Sequence, residues 1–136
     1  MEMDKTELAK IKSFFDKKFY YAVIGASQNP QKYGNIVLKN LYDDGYNLIP
    51  INPNYTHIMG IECYPSLDDV ETKIDVAIFI IPPNNAFKLR DSLLKNNINK
   101  VWMQPGSESE EMKLFCRNHK IDYIQDACIM VTKSLI

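Results

Sequence analysis

The sequence predicts an α/β domain: a doubly wound, mostly parallel sheet between two layers of helices. Three observations carry this. Strand-length apolar runs alternate with helix-length amphipathic segments five times along the 136 residues. The run Val76 to Ile81 is apolar throughout, the pattern of a parallel strand buried on both faces. The first run, Tyr21 to Ile24, ends at Gly25 and leads through small and polar residues to a helix. Strand, glycine turn, helix is the layout of a βα unit that cradles an anion.

Each element follows from local pattern. Asp4 to Phe15 reads as a helix with Leu8, Ile11 and Phe15 on one face; segment 1–18 is expected to pack on the domain 19–136. The first strand is Tyr20–Ile24, and the next helix runs from Tyr33 to Asp44. Val37 with Leu41 and Leu38 with Tyr42 are its i,i+4 pairs, and Gly45 stops it. Asn47–Ile51 is the second strand. Pro50 has no N–H to give a ladder, so one side of this strand is expected to be unpaired. A short extended piece, Ile61 to Tyr64, precedes a small helix through Asp68, Asp69 and Val70. The strand Asp75–Ile81 stops at Pro82-Pro83, which start a helix to Asn96. Lys100–Met103 is a strand ending at Gln104-Pro105-Gly106. Ser107 and Glu110 have capping-box spacing for a helix whose buried stripe is Met112, Phe115, Cys116 and His119. Ile121–Ile124 is the last strand, and Cys128–Ile136 closes as a short helix or strap.

Composition excludes several classes. Apolar residues make up 46% and charged residues 24%, and the net charge is −1, so nucleic acid and anionic membrane are not favoured as partners. No apolar run reaches the roughly 18 residues of a membrane span, and the charged start of the chain predicts no secretory signal. Cys63, Cys116 and Cys128 are odd in number and far apart, forming neither a disulfide framework nor a zinc pattern. A reducing cytoplasm is the expected compartment.

Right-handed crossovers place the loops after the strands on one edge, where open α/β sheets bind ligands. Gly25, Gly34 and Gly106 fall at this edge, where a missing Cβ is expected to let backbone approach a ligand. Gly25-Ala26-Ser27 and the first turn near Tyr33 offer N–H groups to a phosphate, the Ser27 hydroxyl adds a donor, and Lys32 adds a cation. A dinucleotide fingerprint would need G-x-G-x-x-G and an acid after the second strand. Here Ala26 and Ser27 follow Gly25, and the second strand ends Ile51-Asn52-Pro53-Asn54. A P-loop is absent, and so are the carboxylates of a phosphorelay receiver.

The order and spacing of several short motifs resemble a known family. They are VIGAS (Val23–Ser27), KYG (Lys32–Gly34), DGYNLIPINPN (Asp44–Asn54), GIECYPSLDDV (Gly60–Val70), DVAIFIIPP (Asp75–Pro83), VWMQPG (Val101–Gly106) and DAC (Asp126–Cys128). Together they resemble the CoA-binding domain of the succinyl-CoA synthetase α-subunit and, more closely, the stand-alone CoA-binding proteins of bacteria and archaea. The resemblance implies a Rossmann-like fold and coenzyme A as ligand. It puts Gly25, Ala26 and Ser27 at the diphosphate and Lys32 and Tyr33 over the phosphate and ribose. Asn52 and Pro53, with Ile81, Pro82 and Pro83, border the adenosine part, and Gln104 and Gly106 line the way to the pantetheine arm. At Asn54 relatives often carry Lys or Arg, which suits a 3′-phosphate. Asn54 brings no charge, which leaves Lys32 to supply it and leaves dephospho-CoA or an adenine nucleotide open as ligands.

No nucleophile–base pair and no paired carboxylates stand at this edge, and no metal site is expected. His57 falls in a loop and His119 on a helix. Cys128 stands at the ligand edge, where a mixed disulfide with a CoA thiol is open to it. The expected function is a CoA-binding carrier, sensor or regulatory module with no catalysis of its own. The alternative is a subunit of a nucleotide- or acyl-CoA-dependent enzyme, or an NAD(P)-binding protein. CoA or acyl-CoA is the expected partner, and the N-terminal helix and tyrosines leave room for a homodimer.

Overall fold

The computed structural model describes residues 4–136; residues 1–3 of the expected N-terminal segment 1–18 lie outside the described residues. Helix α1 (Lys5–Lys12) opens on Asp4, whose carboxylate accepts the Glu7 N–H at 2.7 Å. The strands follow as β1 (Tyr20–Ile24), β2 (Asn47–Ile51), the two-residue pair β3 (His57–Ile58) and β4 (Ile61–Glu62), β5 (Val76–Phe79), β6 (Lys100–Met103) and β7 (Asp122–Ile124). The helices between and after them are α2 (Tyr33–Asp43), α3 (Pro83–Phe87), α4 (Arg90–Lys95), α5 (Glu110–Asn118) and α6 (Ile129–Leu135).

Five strands form one parallel sheet in the order β2-β1-β5-β6-β7. Strand order reverses between β1 and β5, so a crevice opens where their C-terminal ends part. β2 is the outer strand of the five, but the side expected to be unpaired is bridged by Tyr64. The Pro50 carbonyl faces outward and accepts the Tyr64 N–H at 3.0 Å, on the side where the missing N–H would point. β3 and β4 form a small antiparallel hairpin beside this edge. The sequence suggested only its second strand, because Met59-Gly60 is a two-residue turn with positive φ at both positions, one of them not a glycine.

Alternate residues of each strand serve two cores. Ala22, Ile24, Ala77, Phe79, Val101 and Met103 face the layer of α3, α4 and α5. Tyr21, Val23, Val76, Ile78 and Trp102 face α2, α6 and the segment after α1. α1 ends earlier than expected, and Phe14 turns in beneath the sheet, fully buried and edge-on to Trp102 at 5.7 Å between ring centres. The buried Tyr21 hydroxyl donates to the Phe14 carbonyl at 2.7 Å and accepts the Asp16 N–H at 3.0 Å. Burial raises its pKa well above the usual tyrosine range.

Three local expectations are corrected. The helix expected over 83–96 is two short helices. The Arg90 guanidinium takes the Phe87 carbonyl at 3.0 Å and stacks on its ring, and the Ala86 carbonyl accepts from Leu89 in a tighter turn. Ser107 does not cap α5. Its N–H closes a turn onto the Gln104 carbonyl at 2.9 Å, so α5 starts later with Ser109 as cap, accepting the Met112 N–H at 3.1 Å. His119 is not part of the buried stripe, which is Met112 and Cys116 with half-buried Phe115; the imidazole is exposed at the helix end against the Phe115 ring.

Gly25 and Gly34 hold the ligand edge together rather than opening it to a ligand. A Cβ on Gly34 would lie 1.9 Å from the Gly25 carbonyl oxygen, and one on Gly25 would lie 2.4 Å from the Ile80 carbonyl oxygen. The N-terminus of α2 is therefore seated directly on the end of β1. Gly34→Ala is expected to cost about 3 kcal/mol or more, since the opposing atoms are backbone and cannot turn away. Gly60→Ala meets no atom within 4 Å and is expected to lose only about 1–2 kcal/mol for its positive φ. Urea unfolding of the two variants measures the contrast.

Burial also pushes the Cys116 thiol from 9.0 up to about 11. In the unfolded chain this thiol loses its proton first, so between pH 9 and 11 the unfolded state binds fewer protons than the native state. Stability is expected to fall as pH rises through that window. Cys116→Ala should flatten this part of a stability–pH curve followed by denaturant titration.

Candidate ligand-binding site

The loop after β1 presents donors and hides acceptors. The Gly25 N–H closes onto the Ile51 carbonyl at 3.1 Å. The Ala26 carbonyl is taken by the Asn52 side-chain amide at 2.8 Å, and the Ser27 carbonyl by the Asn35 amide at 2.8 Å. Among the described residues, the backbone N–H groups of Ala26, Ser27 and Gln28 donate to no acceptor, and neither do those of Tyr33 and Gly34 in the first turn of α2. Ala26, Ser27 and Gly34 are buried. Buried N–H groups without partners are rare in native proteins and costly, about 1–3 kcal/mol each. These three, with the N–H groups of exposed Gln28 and Tyr33, stand at the loop after β1 and the N-terminus of α2, a nest that can take an anion. Lys32, exposed, stands at the N-cap of α2 and supplies the adjacent cation.

Beside the nest lies a cavity of about 540 Å³. Ile80 to Pro83, after β5, form one wall, and Gln104 to Ser107, after β6, form another. Tyr33 from α2 and Cys128 before α6 complete it. Among the described residues no charged side chain lines it. Its walls are braced from behind: the Ser107 hydroxyl accepts the Ile81 N–H at 3.1 Å, and the Gln104 Oε1 accepts the Ile129 N–H at 2.7 Å. Tyr33 belongs to both nest and cavity, so one ligand can place an anionic group at the first and an extended, weakly polar arm in the second.

Ten of the thirteen expected site residues fall into two groups. Tyr33, Ile81, Pro82, Pro83, Gln104 and Gly106 line the cavity. Gly25, Ala26, Ser27 and Lys32 form the loop and helix start of the nest. The Asn52 side chain is engaged within the protein, donating to Ala26 and accepting the Asn54 N–H at 2.9 Å. Pro53 and Asn54 are exposed beside it, outside the cavity. Ser27 is 4% exposed, and its hydroxyl accepts the Asn29 N–H at 3.1 Å. Sequence reasoning left Ile80, Pro105 and Ser107 out of the site and placed Cys128 only at the ligand edge. Ser107 was read as a helix cap, and Cys128 lies 24 positions from Gln104, whose amide it meets only in three dimensions.

The reactive side chains outside the cavity are dispersed. Among the described residues no three His, Cys, Asp or Glu side chains are placed to hold a metal ion. All three cysteines are free, and Cys63 and Cys116 are buried. His57 is exposed in the small hairpin.

Comparison with known proteins gives a consistent picture. The family described as "CoA binding domain" matches residues 20–134. The chain is 48% identical over 61 residues, 45% of its length, to an ADP-forming acetate–CoA ligase of Methanocaldococcus jannaschii, but this stretch is only 9% of the ligase. The uncharacterized protein YneT of Bacillus subtilis is 26% identical over 98% of both chains. The solved structure of a conserved hypothetical protein from Pyrococcus furiosus superposes with a TM-score of 0.79 at 40% identity, covering 83% of this chain and 97% of that one.

Proposed function

Because the chain belongs to the CoA binding domain family, we propose that it binds coenzyme A or an acyl-CoA across the crevice between β1 and β5, as a carrier, sensor or regulatory module without catalysis of its own. The observation that carries this reading is the set of unpartnered backbone N–H groups at Ala26, Ser27, Gln28, Tyr33 and Gly34, next to an uncharged cavity. In it, the diphosphate sits on the nest with Lys32 beside it. The adenosine end runs toward Asn52, Pro53 and Asn54. The pantetheine arm passes Tyr33, Ile81, Pro82 and Pro83 toward Gln104 and Gly106. The end of β2 carries Asn52 where a nicotinamide dinucleotide site would place an acid for the ribose, which favours CoA over NAD. A reducing cytoplasm suits three free thiols.

A second reading is supported by the stretch shared with the acetate–CoA ligase of Methanocaldococcus jannaschii. In it, the chain is the CoA-holding part of a larger assembly whose reacting groups lie on another subunit.

CoA is expected to raise the melting temperature and to change the fluorescence of Trp102, whose indole N–H donates at 3.0 Å to the carbonyl of Ala127, the residue before cavity-lining Cys128. NAD is expected to do neither. Equal shifts with NAD, or none with CoA, would overturn the reading. Lys32→Glu, an exposed change, should weaken CoA binding by about tenfold or more, the loss of one charge-assisted contact; isothermal titration reads this directly.

A further inference from the structure

We propose that the outer edge of β7 docks an extended acidic segment of a partner protein, which adds to the sheet as a further strand. A second cavity, of about 380 Å³, lies here and shares no lining residue with the ligand cavity. Lys10 reaches it from α1, Arg117 from α5, and Lys120 and Asp122 from the entry to β7. Ile11 packs α1 into the core on one face of the sheet, and Cys116 packs α5 into the core on the other. A cavity lined by both helices therefore runs across the open side of β7, the outermost strand.

Three cations face this cavity, and among the described residues none of them has a carboxylate within 4.0 Å. The Lys10 ammonium stands 4.8 Å from the centre of the Tyr123 ring and the Arg117 guanidinium 6.0 Å from it, so both are held around one aromatic surface. Lys120 is exposed beside them, in a left-handed turn at φ +58°. Asp122 is the one carboxylate of the lining, which leaves positive charge in excess there although the whole chain carries −1. Such a cavity draws in anions and repels cations.

The strand edge decides what kind of anion. The Asp122 N–H points into the sheet and donates to the Asn99 carbonyl at 3.0 Å. Successive residues of a strand direct their backbone groups to opposite sides, so the N–H and carbonyl of Tyr123 point outward. The Gln125 N–H, two residues on, donates to no acceptor among the described residues. A compact anion leaves this row unpaired. An extended peptide pairs with it and sets every second side chain on the face of the Tyr123 ring, where Lys10 and Arg117 stand. Glutamate or aspartate at those positions meets both cations. Cations on an edge strand keep other strands away, and an acidic strand is the one they admit.

The test titrates the full isotope-labelled chain, followed by NMR, with a blocked peptide of about six alternating valine and glutamate residues, with its valine–lysine counterpart, and with citrate. The glutamate peptide is expected to shift the amide signals of Tyr123 and Gln125 and, near saturation, to slow hydrogen exchange at the Tyr123 N–H by at least about tenfold. The lysine peptide should do neither. Arg117→Glu combined with Lys120→Asn should weaken binding of the glutamate peptide by at least about tenfold. Both side chains are exposed, asparagine accepts the left-handed backbone at position 120, and the melting transition shows that the variant is folded. Equal binding of the two peptides would overturn the proposal, and so would no shift with either. Shifts with citrate, without slowed exchange at Tyr123 in the glutamate peptide, would assign the cavity to a small anion and overturn strand addition. Broadening of the Tyr123 signal with protein concentration alone would put a second copy of the chain on this edge, which also overturns it.

Discussion

The backbone contact between Gly25 and Gly34 is the constraint on which the rest of the site depends. With no Cβ at either position, the first turn of α2 rests on the carbonyl of Gly25, and Gly25 in turn rests on the carbonyl of Ile80. Three segments distant in sequence are thereby brought into register at the point where strand order reverses. Any side chain at these positions would lift α2 off the sheet. The N–H groups of the loop and those of the helix start would then no longer be neighbours. The glycines act on the ligand edge by letting backbone pack on backbone, which sets the geometry that a ligand would meet.

Around this contact the polar groups are sorted by kind. Asn52 and Asn35 take up the carbonyls of Ala26 and Ser27, so the oxygen atoms that would repel an anion are tied down. The N–H groups are left unspent. Desolvation of the buried ones, at Ala26, Ser27 and Gly34, costs stability, and an anion that accepts from them offsets that cost, so folding and binding are linked. The cavity beside the nest has the opposite character. Its prolines and isoleucines give a surface with few donors, and the polar groups that do line it, Gln104 and Ser107, are fixed by bonds to the backbone behind them. An extended ligand with one charged end fits this division better than a compact one.

The fold was largely legible in the chain because its signals are local. Apolar runs of strand length, Gly45 after α2, Pro50 at an edge and Pro82-Pro83 at a helix start each act through their own backbone geometry, and the parallel, doubly wound sheet follows from their alternation. Where local signals compete, the sequence misleads. Ser107 and Ser109 both precede an acidic helical turn, and only the turn onto Gln104 decides which one caps it. A long helical pattern after Pro83 is broken because the Arg90 side chain reaches the Phe87 carbonyl. His119 fits the apolar stripe by spacing, but α5 ends there and the ring stays in water.

What the sequence determined by itself was the layer order, the loops that form the ligand edge, and the family to which the chain belongs. These depend on periodicity and on short motifs in fixed order, which need no long-range geometry to be read. The tertiary structure alone decided that Gly34 packs on Gly25, that five N–H groups stay unpaired, and that Cys128 stands beside Gln104 in the cavity wall. Each of these joins residues from separate elements across the end of the sheet. Such contacts arise only when strand order and helix seating are set together, and no local pattern in the chain encodes them.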